Sequence, residues 1–235
     1  HENVVCKSGS SVSRVTQNEP DLLEYNMTLQ PVRISERNRR YFETEDGKPF
    51  IPVGLNLCFQ RFLTEEEEVF AAYSRQIKTF AENGGNYIRV WLGDKFFEME
   101  PEREGEFDPV KIARIQKLLS IAEEHGVRIK FNIEHFRRMN VAQDKEIFPG
   151  AASFLKTAHL PENGGSANDM HEFFTKESSR QAFLKKLDVL ADAVKDSSAL
   201  MAIELWNEIN AVDADEPEWR NWTEFMLPEV QKRQW

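Results

Sequence analysis

The sequence has few cysteines, no long apolar run and no excess of basic residues, and each absence excludes a class of protein. Cys6 and Cys58 are too few for a disulfide scaffold or a cysteine-rich zinc site. No apolar run approaches the roughly 18 residues of a membrane-spanning helix. The 40 acidic and 30 basic residues give a net charge of −10, which disfavours binding to nucleic-acid phosphates. We therefore expect no nucleic-acid partner, no membrane association and no metal or cofactor.

A glycine-rich phosphate-binding turn is also missing. In a doubly wound α/β sheet such a turn usually follows the first strand, but the segment after the first predicted strand reads NLCFQR, residues 56–61. A nucleotide site is therefore disfavoured. Apolar residues make up 40% of the chain and aromatic residues 11%, which is typical of a folded protein with a sizeable core.

The chain divides into two parts by composition. Residues 1–40 are rich in Ser, Asn, Gln and Arg, with scattered apolar residues, and we interpret them as an N-terminal extension or the end of a preceding module. Residues 41–235 are more regular. They begin with a predicted β-hairpin over 41–51, because Asp46-Gly47 lies between two apolar runs and this dipeptide favours a tight turn.

After the hairpin, predicted strands and helices alternate. Four apolar segments are typical of buried strands: 50–59, 86–92, 127–134 and 200–208. Helices are predicted from a capping box at Thr64–Glu67, from the N-cap and first-turn proline Asp108-Pro109, over Phe183–Val194, and from Pro217 to the end. Strands separated by helices favour parallel pairing, and apolar residues on both strand faces favour a sheet covered on both sides.

A doubly wound sheet and a (β/α)8 barrel both fit this alternation. A whole barrel takes roughly 250 residues, whereas the four units here use about three quarters of that length and include a long segment over 135–175. We therefore predict an α/β fold, namely the first half, (β/α)4, of a TIM barrel, with an N-terminal extension and a β-hairpin. The long segment is either a wall of a substrate cleft or a surface excursion.

The segment ELWNE, residues 204–208, carries the strongest functional signal. It ends the fourth predicted strand, where barrel enzymes place catalytic groups. Strand alternation puts Glu204, Trp206 and Glu208 on one face, and carboxylates inside a sheet need partners. Arg89 on the second strand is the predicted partner of Glu204. From the residues alone, a structural ion pair explains this pattern as well as a catalytic site does.

The chain also resembles a known family. The order GKPFIPVGLN, NYIRVW, IEH and ELWNE is similar to retaining glycoside hydrolases of clan A, most of all to family 5 with its cellulases and mannanases. The resemblance covers about residues 41–235. It implies that Glu208 is the general acid/base, that Asn207 contacts the sugar 2-hydroxyl, and that Arg89 orients the nucleophile. It also places His135 near a substrate-contacting histidine.

This resemblance implies retaining hydrolysis of a β-linked poly- or oligosaccharide and, by analogy, secretion or a periplasmic location. The family's nucleophile lies on the seventh strand, beyond these residues, so we expect the C-terminal half of the barrel or a second copy of the chain as a partner. Asp94 and Glu134 are the best-placed substitute nucleophiles. An ion pair with Arg137, Arg138 or Lys130 is an equally good interpretation of Glu134.

Three questions stay open at this point. Trp91 and Trp206 either stack on sugar rings or fill the core. Glu208 is expected to be partly buried beside a neighbouring charge, as a general acid requires. The alternatives to a hydrolase are a non-catalytic carbohydrate-binding or vestigial protein, and an unrelated α/β enzyme with an accidental Asn-Glu match. A strand order other than 1-2-3-4 would favour the unrelated enzyme.

Overall fold

The computed structural model describes residues 29–140, 154–233 and 235. Most of the predicted N-terminal extension, including Cys6, and residues 141–153 of the predicted long segment lie outside these described residues. Within the described part, no helix is long and apolar enough to cross a membrane.

From residue 29 onwards, three short antiparallel strands precede the main sheet. They are β1 (Val32–Ile34), β2 (Phe42–Thr44) and β3 (Pro49–Phe50), in the order β1-β2-β3. The β2–β3 pair confirms the predicted hairpin, and Gly47 takes the positive φ of +80° that its turn requires. β1 lies inside the predicted extension and has too few residues to give an alternation signal.

The main sheet is parallel and its strands follow one another in chain order. β4 (Gly54–Asn56), β5 (Tyr87–Trp91) and β6 (Arg128–Glu134) come first. The last strand of the main sheet is β9 (Leu200–Trp206). Between β6 and β9 in the chain, the two-residue strands β7 (Arg138–Met139) and β8 (Leu155–Lys156) pair only with each other, as a separate sheet. The order is β4-β5-β6-β9, which confirms parallel pairing and the 1-2-3-4 order expected of consecutive units. It disfavours the unrelated α/β enzyme.

In the described residues, five α-helices accompany the strands: α1 (Glu66–Glu82), α2 (Pro109–Glu124), α3 (Met170–Thr175), α4 (Glu177–Val194) and α5 (Glu216–Gln231). Asp108 caps α2 as predicted, because its side chain accepts a 2.8 Å hydrogen bond from the Val110 N–H. The predicted cap at Thr64 is wrong. α1 begins after Glu65, which makes no side-chain cap bond, and three glutamates in the first turn favour the helix N-terminus electrostatically instead.

One face of the parallel sheet packs against the helices and forms the core. On β5 and β6 the residues of this face are fully buried, among them Ile88, Val90, Ile129 and Phe131. The opposite face carries charged side chains, and all three residues of β4 are exposed. The expectation that both faces are apolar is therefore wrong. The prediction of a buried strand over 50–59 is also wrong, because β4 covers only Gly54–Asn56 and is exposed. β4 is an edge strand with one neighbour, and no described layer covers this second face.

Candidate active site

The carboxyl edge of the parallel sheet brings several of the predicted site residues together. The register places Arg89 of β5 beside Asn56 of β4 and Lys130 of β6, and places Asn132 of β6 beside Glu204 of β9. Because neighbouring residues in a parallel register point to the same face, long side chains from β5, β6 and β9 meet there.

Arg89 and Glu204 form the predicted ion pair. The guanidinium donates from Nε to Oε2 at 2.8 Å and from Nη2 to Oε1 at 2.6 Å, a two-point contact across β6. Lys130 adds a 2.8 Å ion pair to Oε2. Partial burial acts to raise the pKa of Glu204, but hydrogen bonds and charge from Arg89 and Lys130 outweigh it and lower the pKa below its ordinary value. Glu204 is therefore held ionised.

Asn207 is fixed by the same guanidinium. Arg89 Nη2 donates to Asn207 Oδ1 at 2.9 Å, and the Asn207 backbone N–H donates to the Glu134 carbonyl oxygen at 2.8 Å. The amide oxygen is thus engaged by Arg89. The amide nitrogen of Asn207 is the part of the side chain that can donate to a ligand.

Glu208 follows at a sharp turn. Its backbone has φ 54° and ψ 46°, a left-handed conformation that is uncommon for a residue other than glycine. β9 ends at Trp206, so strand alternation does not extend to Glu208. The side chain is 56% exposed and forms an ion pair with Arg137, which follows β6. The neighbouring charge is present, but the expected partial burial is wrong because the turn directs the carboxylate outwards.

Trp91 and His135 are stacked beside this cluster. Their ring centroids lie 5.3 Å apart with an interplanar angle of 23°, and the Arg89 guanidinium carbon lies 5.5 Å from the Trp91 ring centroid. His135 is 1% exposed, so Trp91 presents the more accessible ring. Gly93 permits this packing, because a Cβ atom there would lie 2.6 Å from His135 Nδ1.

Trp206 does not join the cluster. It is 6% exposed, and its ring centroid lies 4.6 Å from that of Phe136 and 5.7 Å from that of Trp222 on α5. Large aromatic side chains at such distances contribute mainly to packing. The core interpretation of Trp206 is therefore the one that fits its position.

The two candidate substitute nucleophiles are engaged in local structure. Glu134 is 1% exposed and pairs with Lys186 of α4, so the expected partners Arg137, Arg138 and Lys130 are wrong. Asp94 is 3% exposed, and its Oδ1 accepts the backbone N–H groups of Phe96 and Phe97 at 3.0 and 2.9 Å. Burial raises the pKa of Asp94 to about 7.

Three charged residues of this region form ion pairs that were not predicted. Lys130 shares the alternation of Arg89 and follows it in register, so the strand pattern contained a signal for it. Arg137, the partner of Glu208, and Lys186, the partner of Glu134, come from a loop and a helix. The sequence gives no periodic signal for either contact.

One group of potential metal ligands lies elsewhere. His171, Asp215 and Glu218 have ligand atoms within 4.8 Å of one another. Asp215 and Glu218 form a capping box at the start of α5, and His171 Nδ1 lies 2.7 Å from Glu218 Oε2. Hydrogen bonding to Glu218 raises the pKa of His171. Helix capping and an ion pair account for this cluster.

No family model and no curated protein matches this sequence, but solved structures do. An exo-β-1,4-mannosidase from Opitutaceae bacterium strain TAV5 aligns with a TM-score of 0.60 and 20% identity, over 82% of this chain and 32% of that one. An endo-1,4-β-mannanase from Rhizomucor miehei gives 0.59 and 13%, over 82% and 56%. A GH5_18 protein from Bifidobacterium longum subsp. infantis gives 0.51 and 15%, over 70% and 37%.

The chain resembles family 5 glycoside hydrolases in its fold. Identities of 13% to 20% support the fold alone. The chain spans between 32% and 56% of the length of these three proteins, and the described residues form no closed barrel. The comparisons thus confirm the resemblance to family 5 that the motifs predicted, as a similarity of fold. The shared fold is α/β with a parallel sheet.

Proposed function

We propose that this chain is the N-terminal half of a retaining family 5-like β-glycosidase, with β4, β5, β6 and β9 as strands one to four of a (β/α)8 barrel and residues 41–235 as the barrel portion. The observation that carries the proposal is the cluster at the end of β9. There Asn207 and Glu208 directly follow a strand whose Glu204 is held by Arg89. The chain-order parallel sheet and the mannosidase-like fold support it.

In this proposal Glu208 is the general acid/base. It donates a proton to the leaving glycosidic oxygen, and a second carboxylate about 5 Å away attacks the anomeric carbon. The exposed position of Glu208 at the carboxyl edge is compatible with access to a substrate. The leaving oxygen must come within hydrogen-bonding distance of the Glu208 carboxyl group. The Arg137 guanidinium occupies that position here, so substrate binding displaces it.

The neighbouring residues bind and orient the substrate. Asn207 donates its amide N–H to the sugar 2-hydroxyl, and Arg89 keeps that amide in orientation through Oδ1. Glu204 supports the site by fixing Arg89, which leaves the guanidinium near the place of the nucleophile. Trp91 offers a ring face to a sugar, and His135 supports Trp91 from behind.

The nucleophile comes from outside this chain. Asp94 and Glu134, the best-placed described acids, are engaged by backbone amides and by Lys186 respectively. We therefore propose that the C-terminal half of the barrel, or a second copy of the chain, supplies the second carboxylate and covers the charged face of the sheet. The substrate is a β-linked glycan, with β-1,4-mannan tested first because the fold neighbours are a mannosidase and a mannanase. Secretion or a periplasmic location follows by the same analogy.

A non-catalytic carbohydrate-binding protein is the second candidate function. The engagement of both substitute nucleophiles favours it for the 235-residue chain on its own. The cluster of Arg89, Asn207 and Trp91 would then bind a glycan without cleaving it.

Native and denaturing mass spectrometry, followed by an assay on β-1,4-manno-oligosaccharides, separates the two functions. We expect the barrel-completing half as a second polypeptide or as additional covalent mass beyond 27.4 kDa, together with sugar release. Saturable glycan binding by the 27.4 kDa chain without sugar release would support the binding protein instead. If the protein neither binds the glycan nor releases sugar, both functions are contradicted.

A further inference from the structure

A cavity separate from the cluster around Glu208 lies between α1, α2 and the loop after β5. Its volume is about 230 Å³, and none of Arg89, Asn207 and Glu208 lines it. Since a water molecule takes about 30 Å³ in the liquid, the cavity has room for several waters or for one small molecule of monosaccharide size. An oligosaccharide is too large for this volume.

Asp94 supplies an unpaired polar atom to this cavity. The carboxyl group is 3% exposed, and Oδ1 is engaged by the Phe96 and Phe97 N–H groups at 3.0 and 2.9 Å. In the part of the chain that the structure describes, Oδ2 makes no hydrogen bond. Because Asp94 lines the cavity, Oδ2 is available to hydrogen-bond with an occupant.

Further polar groups line the same space. Gln60 is 7% exposed and uses its amide nitrogen to donate to Gln76 Oε1 at 2.9 Å, so its own Oε1 is an acceptor. The buried Tyr73 hydroxyl lies at the long distance of 3.5 Å from the Leu57 carbonyl oxygen and is therefore weakly held. The Lys111 ammonium group also lines the cavity. Donors and acceptors are thus both present.

The remaining wall is mainly apolar. Leu63, Val69, Phe96 and Phe97 form most of it, and Thr64 and Lys95 complete the lining. Arg114 also reaches the cavity, but Glu66 pairs with it at 2.8 Å. When Asp94 is ionised, a fixed anion would face its negative charge, and a purely apolar ligand would leave Oδ2 unpaired. Hydroxyl groups both donate and accept, and the C–H faces of a saturated ring suit an apolar wall.

We propose that this cavity is a binding site for a neutral, polyhydroxylated molecule of monosaccharide size, with Asp94 Oδ2 as its principal hydrogen-bond acceptor. The ligand donates hydroxyl groups to the ionised form of Asp94 and to Gln60, and it accepts from Lys111. Its carbon skeleton packs on Phe96 and Leu63. The site requires no chemistry at Glu208, so its test is independent of the test of the proposed hydrolase.

Titration of the isotopically labelled protein with D-mannose at about pH 8, where Asp94 is ionised, followed by amide NMR, tests the site. We expect saturable shifts of the Phe96 and Phe97 amide signals, because those amides bind the other oxygen of the same carboxyl. Asp94→Asn keeps the Oδ1 acceptor and replaces the second oxygen with an amide group. It should weaken binding about tenfold or more, the loss expected for a hydrogen bond to a buried polar group.

Two variants complete the design. Asp196→Asn, an exposed carboxylate that does not line the cavity, should leave the dissociation constant unchanged. Tyr73→Phe removes one hydroxyl without altering the fold and should weaken binding several-fold, so it serves if Asp94→Asn does not fold. Equal affinity in wild type, Asp94→Asn and Tyr73→Phe would overturn the proposal. Shifts confined to the amides of residues 207–208 would also overturn it while leaving the proposed glycosidase intact.

Discussion

Arg89 on β5 donates two hydrogen bonds, of 2.8 and 2.6 Å, to Glu204 on β9, and so joins two strands that are separated by β6. Its Nη2 group also holds Asn207. A single guanidinium therefore fixes a supporting carboxylate and the residue next to Glu208. Because Lys130 is also paired to Glu204, this group of three charged side chains carries one net positive charge, which suits a further carboxylate from a covering layer.

Arg89→Ala should destabilise the protein by about 1–3 kcal/mol, because it leaves Glu204 with Lys130 alone and removes the donor to Asn207. Denaturant unfolding measures this change. Arg220→Ala is the matched control, since Arg220 forms an exposed pair with Glu216 within one helix and should cost less than about 1 kcal/mol. Equal midpoints for the two variants would contradict the structural role of Arg89.

Asp94 should make the free energy of unfolding depend on pH. Its pKa is about 7 in the folded state, against 3.8 for an aspartate in water. Between these two pH values the folded state keeps the proton and the unfolded state loses it. The stability that this group contributes is fully present below pH 3.8 and is lost as the pH rises through 7, with about 1.4 kcal/mol for each pKa unit.

Asp94→Asn removes this proton while keeping an acceptor for the two backbone amides. The difference in unfolding free energy between the variant and wild type should therefore grow in the variant's favour from about pH 4 to about pH 8. Parallel pH curves for the two proteins would show that Asp94 does not titrate in this window.

Lys186 should be important for stability. It is 2% exposed and pairs with Glu98 at 2.9 Å and with Glu134, which are themselves nearly buried. Lys186→Met leaves two buried carboxylates short of a cation and should cost about 3–5 kcal/mol in denaturant unfolding. Lys195→Met, which breaks an exposed pair with Asp192, should cost under about 1 kcal/mol.

A second substitution distinguishes lost charge from lost packing at Lys186. Adding Glu134→Gln to Lys186→Met removes one of the stranded charges and should recover part of the stability. If the double variant is less stable than Lys186→Met, packing rather than charge determines the role of Lys186.

Two local signals in the sequence predicted local structure correctly, whereas the capping box at Thr64 did not. Asp108-Pro109 begins α2 and Asp46-Gly47 forms the hairpin turn, because each acts through backbone bonds only a few residues away. The Arg89–Glu204 pair was also predictable. The two residues lie on strands of one predicted sheet, and opposite charges inside a sheet require each other as partners.

Other features depend on contacts that no local pattern records. Lys186 reaches Glu134 from a helix 52 residues further along the chain. Glu208 adopts a left-handed turn, although Asn-Glu after a strand reads equally as continued alternation. β1 has three residues, which is too short for periodicity to emerge from the sequence. The assignment of Glu208 and Asn207 to catalysis rests on the family resemblance and stays a prediction.

The most direct test of the central proposal is the hydrolysis of β-1,4-manno-oligosaccharides by the assembled enzyme, comparing wild type with Glu208→Gln. If Glu208 is the general acid/base, the variant should lose about 10²–10⁴-fold in kcat/KM on these substrates. It should lose much less on aryl mannosides whose leaving group needs no proton, with an unchanged unfolding midpoint. Equal activity of the two proteins on the manno-oligosaccharides would contradict the account.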